Sequence, residues 1–167
     1  MKKNILRQIV KGCLATLITI LTLTSCQDAG YLNAIPAESK ALMSIDISSL
    51  DAKQVAAFMQ LFPGQHVEKN GLDFSKKVYL FESPDGNLGF CGKVKSAGDI
   101  VSFLEGIKSP AVSQIEQYRG AHFVMVKDTW LVGFNDRSFL LMGPISAGGH
   151  KELRQQMAKY LNQDEEQ

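Results

Sequence analysis

The chain has 167 residues, 45% hydrophobic and 21% charged, a balance that can bury one globular core and argues against an intrinsically disordered protein. Its formal charge is +1, but Lys2, Lys3, Arg7 and Lys11 all precede the first acid, and without those four bases the 17 acids bring the balance to about −3. The remainder carries no cluster of Lys or Arg, so nucleic acid, whose binding depends on neutralising phosphates, is not an expected partner.

The basic start runs into Cys13 to Leu23, which is apolar apart from three threonines. Such a stretch is too short for a bilayer-spanning helix, which takes about 20 residues, and it reads as the apolar part of an export signal. Leu23-Thr24-Ser25-Cys26 follows, an aliphatic residue, two small ones and cysteine, which resembles the lipobox of bacterial lipoproteins. The reading predicts a signal peptide over 1–25, cleavage ahead of Cys26, and lipidation of Cys26. Cysteine is needed there because its thiolate takes up the diacylglyceryl group, and cleavage frees its amine for a further acyl chain. At about 0.8 kcal/mol per buried methylene, two or three such chains hold a domain at a membrane.

In the sorting rule of enteric bacteria an Asp directly after the lipidated cysteine retains the protein at the inner membrane. This chain has Gln27 there, so the expected location is the outer membrane, with its periplasmic or surface face left open. Of three cysteines, Cys13 leaves with the signal and Cys26 carries lipid. Cys91 is then alone, with no intramolecular disulfide available, and reads as a small buried apolar side chain.

Residues 26–39 read as the lipidated cysteine and a polar tether with Gly30, Asn33 and Pro36, and residues 40–167 as a single domain beginning near Lys40. Met43, Ile45 and Ile47 alternate with Ser44 and Asp46, the period of a half-buried strand. Val55, Phe58, Met59 and Phe62 recur at helical spacing, ending at Pro63-Gly64. Val78 to Phe81 and Leu88 to Val94 read as strands joined by Ser83-Pro84-Asp85-Gly86-Asn87, where Pro presets a turn and Asp-Gly closes it. Ser96 with Asp99 resembles a helix N-terminal capping box ahead of Ile100, Phe103, Leu104 and Ile107. Ala121 to Met142, broken at Lys127-Asp128 and Asn135-Asp136-Arg137, predicts a three-strand meander. Leu153, Met157, Tyr160 and Leu161 mark a last helix.

The expected fold is therefore α+β, in the order β-α-β-β-α-β-β-β-α. It is a two-layer domain with a mostly antiparallel sheet, helices on one face and a ferredoxin-like start.

Chemistry-bearing motifs are sparse. Gly143-Pro144-Ile145-Ser146-Ala147-Gly148-Gly149-His150 has the glycine spacing of a phosphate loop but lacks its lysine, so no nucleotide and no other cofactor is expected. His66, His122 and His150 are far apart, without the close ligand pairs of a zinc site. Ser44, Ser48 and Ser83 have no evident base partner. Asp46 and Glu82, each near a strand, are the best carboxylates for acid and base work. Trp130 alternates with Val132 and Phe134 and reads as core, although it and Tyr31 are the two candidate ligand platforms.

Asn33-Ala34-Ile35-Pro36-Ala37-Glu38, followed by Leu42 to Leu50, resembles the opening of an uncharacterised lipoprotein family from Bacteroidota. There a lipidation cysteine is followed by I-P-A, a strand ending in aliphatic-Asp, and S-L before a helix. The likeness extends loosely through Gly71-Leu72-Asp73 and the Asp85-Gly86 hairpin. Members are usually longer, which implies that this chain is an N-terminal portion or a shortened relative. The family is a domain of unknown function, so the resemblance implies a compartment and no catalytic residue.

Two functional classes follow as expectations. The first is a lipid-anchored, non-catalytic binding module of the cell envelope, with the membrane, an envelope protein or a glycan as partner. The alternative is an envelope hydrolase whose site is assembled from non-adjacent residues such as Asp46, Glu82 and His122, and it requires those three side chains to meet in one pocket.

Overall fold

This computed structural model describes residues 29–50, 70–146 and 148–163 of the chain. The signal segment 1–25, Cys26, the expected helix over 55–62 and His66 lie outside the described residues. Tyr31–Gln167 forms one compact unit.

Seven strands form one sheet: β1 (Ala41–Ile45), β2 (Val78–Glu82), β3 (Leu88–Lys93), β4 (Glu116–Tyr118), β5 (Ala121–Val126), β6 (Trp130–Phe134) and β7 (Ser138–Gly143). Their spatial order is β1-β2-β3-β7-β6-β5-β4, with every neighbouring pair antiparallel. Two α-helices are described, α1 (Ala97–Gly106) and α2 (His150–Leu161). The domain is thus α+β with an antiparallel sheet.

Local chemistry accounts for the turns. Between β2 and β3, Gly86 takes φ +83°, Ser83 N–H donates to Asn87 O at 2.8 Å, and Asn87 N–H donates to the Ser83 hydroxyl at 3.1 Å. The Ser83 side chain is fully buried, and that bond satisfies it. Asn135 Oδ1 accepts the amides of Arg137 and Ser138 at 2.9 and 2.8 Å, turning β6 into β7. Helix α1 starts at Ser96, whose hydroxyl accepts from Asp99 N–H at 3.2 Å, as the capping pattern predicts. Gly71 sits against that start with φ +79°. Its carbonyl accepts from Lys95 and Ser96, and a Cβ there would lie 2.7 Å from the Ile100 amide nitrogen, so only glycine fits.

The packing differs from the two-layer expectation. Cross-strand partners share a face, so the register row Phe90, Leu141, Val132, Val124 lies on one side of the sheet and the row Cys91, Leu140, Gly133, Phe123 on the other. Ile100 and Leu104 of α1 pack into the first side with Phe90, Val132 and Phe134. Leu153, Met157, Ala158 and Leu161 of α2 pack into the second with Cys91, Phe123 and Leu140. The two described helices therefore cover opposite faces of the sheet, giving three layers. This explains why β3, β5, β6 and β7 are apolar in near-continuous runs instead of strict alternation.

The ferredoxin-like start is also corrected. That arrangement needs β1 and its following strand parallel with a third between them, whereas β1 and β2 are direct antiparallel neighbours, from Ala41 opposite Glu82 to Ile45 opposite Val78. Periodicity marks which residues form strands and leaves their partners open. The expected order lacks one further element, β4, which pairs with β5 through a hairpin in which Arg119 and Gly120 both take positive φ.

The tether expectation changes as well. Residues Gly30–Ala34 form a 3-10 turn, and Tyr31 and Ala34 are buried in the core on the α2 face. The Tyr31 hydroxyl donates to Lys77 O at 2.8 Å, and Tyr31 O accepts from Ser138 Oγ at 3.4 Å and from the Cys91 thiol at 3.5 Å. The folded unit begins at Tyr31, some nine residues before Lys40.

Candidate functional site

Asp46 follows β1 and turns the chain into a 3-10 turn at Ile47–Ser49. Its Oδ1 accepts the Ser48 amide at 3.1 Å and the Ser48 hydroxyl at 2.6 Å. That hydroxyl, helped by the Ser48 amide and the positive charge of Lys77, holds the Asp46 carboxyl below its ordinary range. A carboxylate kept ionised by its own turn is a cap, and it is poorly suited to taking up a proton at neutral pH.

Glu82 closes β2 and faces Lys40 across 3.8 Å, with both side chains substantially exposed, a pairing that contributes little to stability. Ile45, next to Asp46, pairs with Val78, while Glu82 pairs with Ala41, so the two carboxylates stand at opposite ends of the β1–β2 ladder, about 17 Å apart along the strands. His122 is on β5, four strand positions from β2, or about 19 Å. Its ring stacks on Phe134 with centroids 5.0 Å apart, and its Nε2 lies 3.0 Å from Gln117 Nε2. The structure therefore does not bring Asp46, Glu82 and His122 into one pocket. A hydrolytic site built from these three is not assembled.

The remaining candidates have structural surroundings. Ser44 is exposed on β1, Ser48 is engaged with Asp46, and Ser83 holds its hairpin. His150 is exposed at the start of α2, and the glycine-rich segment ahead of it links the end of β7 to that helix. Trp130 is half-buried beside Val132 and Phe134 on the α1 face, as its alternation predicts. Gly143 makes room for it, since a Cβ there would stand 2.8 Å from the indole. Cys91 is fully buried, and burial pushes its thiol up to about 12, which leaves no thiolate for nucleophilic or redox chemistry at neutral pH. Among the described residues no group of three or more His, Cys, Asp or Glu is placed to hold a metal ion. No helix among them is long and apolar enough to cross a membrane.

One open groove of about 450 Å³ runs between the β2–β3 turn and α2. Asp85 and Asn87 line it from the turn, and Ser146, Glu152, Gln156 and Lys159 from the α2 side. Gln156 donates to the Asp85 carboxylate across it, and Tyr160, close by, has its hydroxyl pKa raised by partial burial and by the negative charge of Asp85. The groove's described lining offers hydrogen bonds and charge of both signs to a polar ligand. Sequence spacing could not have gathered these residues, which come from segments about 70 positions apart.

Compared with known proteins, the chain matches no family model, no curated sequence and no solved structure.

Proposed function

We propose that the protein is a lipid-anchored component of the bacterial cell envelope whose α+β domain acts as a non-catalytic binding or interaction module. The observation that carries this reading is the succession of a basic start, a short apolar run and Leu23-Thr24-Ser25-Cys26. Cys26 takes the lipid, Gln27 directs the product to the outer membrane, and the resemblance to an uncharacterised Bacteroidota lipoprotein family agrees with that compartment.

The docking of Tyr31 adds a physical consequence. Only four residues, 27–30, lie between Cys26 and Tyr31, so a fully extended connection spans about 17 Å. A domain on so short a lead works at the membrane surface and reaches partners there, an envelope protein or a glycan, instead of sweeping through the surrounding space. The polar groove beside α2 is the concave surface on which such a partner's hydrogen-bonding groups would be met.

Fractionation tests the reading. The full chain expressed in a Gram-negative host is expected in the outer-membrane fraction and released by detergent but not by high salt. Cys26→Ser is expected to lose that outer-membrane fraction and accumulate uncleaved. A Cys26→Ser product that fractionates like the unaltered chain contradicts the proposal.

A further inference from the structure

The two edges of the sheet are built differently. β4 is three residues long, Glu116-Gln117-Tyr118, and Arg154 of α2 pairs with Glu116 and lies over the Tyr118 ring at 5.1 Å, so that edge is short, charged and partly covered. Among the described residues, β1 has none of these protections. It runs Ala41-Leu42-Met43-Ser44-Ile45 with no charge and no proline, and β2 is its one strand neighbour among the described residues. Leu42 and Met43 are 59% and 60% exposed, and Met43 continues on the α1 face into exposed Leu80, its cross-strand partner. An edge of this kind is a template for another strand.

The flanking charges specify which strand. Lys40 stands immediately before β1 and Asp46 immediately after it, both exposed and three residues either side of Met43. If a second β1 lies antiparallel with Met43 opposite Met43, Lys40 of each copy falls opposite Asp46 of the other. Two charge pairs then form by symmetry, while Ala41 meets Ile45 and Leu42 meets Ser44. Lys40 exchanges only a loose, exposed contact with Glu82 for this arrangement.

We infer that β1 is a self-association edge, on which a second copy of this chain adds its own β1 in antiparallel register centred on Met43. The two-fold axis is perpendicular to the sheet, so the exposed Met43 and Leu80 of the two copies form one apolar strip. The Tyr31 segments of both copies lie on the same side, the side opposite that strip.

Cysteine cross-linking in membranes of cells expressing the full chain tests the register. Met43→Cys is expected to give a disulfide-linked dimer about tenfold more efficiently than Ser44→Cys, because two copies of position 43 sit at the roughly 5 Å cross-strand spacing a disulfide spans, while two copies of position 44 lie at the diagonal, about 7–8 Å. In the Met43→Cys background, Lys40→Glu is expected to lower the dimer yield, and adding Asp46→Lys to restore it. Equal cross-linking at 43 and 44, no dimer at either position, or no recovery in the charge-swapped chain overturns the inference. So does a monomeric mass for the unsubstituted, detergent-purified chain at every concentration, a measurement that needs no substitution to fold.

Discussion

Cys91 shows how burial decides what a reactive side chain can do. It belongs to the same core cluster as Phe81, Leu140 and Met142, and its S–H points to the carbonyl of Tyr31. With the thiol raised to about 12 by burial, the folded chain is expected to show no Cys91 reaction with a thiol reagent at pH 8, and one additional equivalent after unfolding. The sign of the pH dependence follows from the same shift. The folded value lies above the ordinary 9.0, so the contribution to stability is whole below pH 9 and is lost as pH rises toward 12, where the unfolded thiol ionises first. The stability difference between the unaltered chain and Cys91→Ala, from urea midpoints, is expected to move in favour of the variant by up to about 1.4 kcal/mol per pH unit above pH 9. A difference independent of pH from 8 to 11 contradicts the buried placement. The burial of Cys91 was legible from its lone position on an apolar strand. The roles of Asp46, Glu82 and His122 were not, because residue type says what a group could do, while only the fold says that Asp46 meets Ser48 and that His122 meets Phe134.

At the scale of elements, the signals that held are those with a local physical cause. Ser96 caps α1 because a side-chain oxygen three residues ahead of an amide can reach it, and Ser83 to Asn87 turns because glycine accepts positive φ. The Leu153, Met157, Leu161 stripe faces the sheet as its spacing predicts. β4 escaped notice because Glu116-Gln117-Tyr118 carries neither an apolar alternation nor β-branched residues, and its hairpin uses Arg119-Gly120 where Asn-Gly is the common signal. The turn at Tyr31 escaped because its stability is tertiary, coming from Lys77, Cys91 and Ser138, which are distant in sequence. Tyr31→Ala is accordingly expected to destabilise the domain by about 3–5 kcal/mol through the cavity it leaves, and Tyr31→Phe by about 1 kcal/mol through the lost hydroxyl bond. Urea unfolding measures both, and a Tyr31→Ala cost under about 1 kcal/mol would show that the segment is an addition to the fold and not part of it.

For the whole molecule, the sheet order was beyond the reach of periodicity. An alternating strand reports which residues share a face, and the two-sided burial of β3, β5, β6 and β7 blurs even that, since Phe90 and Cys91 are both buried on opposite faces. The proposed anchoring is a separate question, carried by residues 1–26, where Leu23-Thr24-Ser25-Cys26, an aliphatic residue, two small ones and cysteine, is a local pattern that the sequence alone displays. The most direct measurement is the intact mass of the mature protein extracted from membranes, with fragmentation of its N-terminal peptide. The account predicts a chain beginning at Cys26, with a diacylglyceryl group on the sulfur and a further acyl chain on the freed amine, and an unprocessed, unlipidated chain for Cys26→Ser. A mature chain that retains residues 1–25, or one cut elsewhere with an unmodified Cys26 thiol, would contradict it.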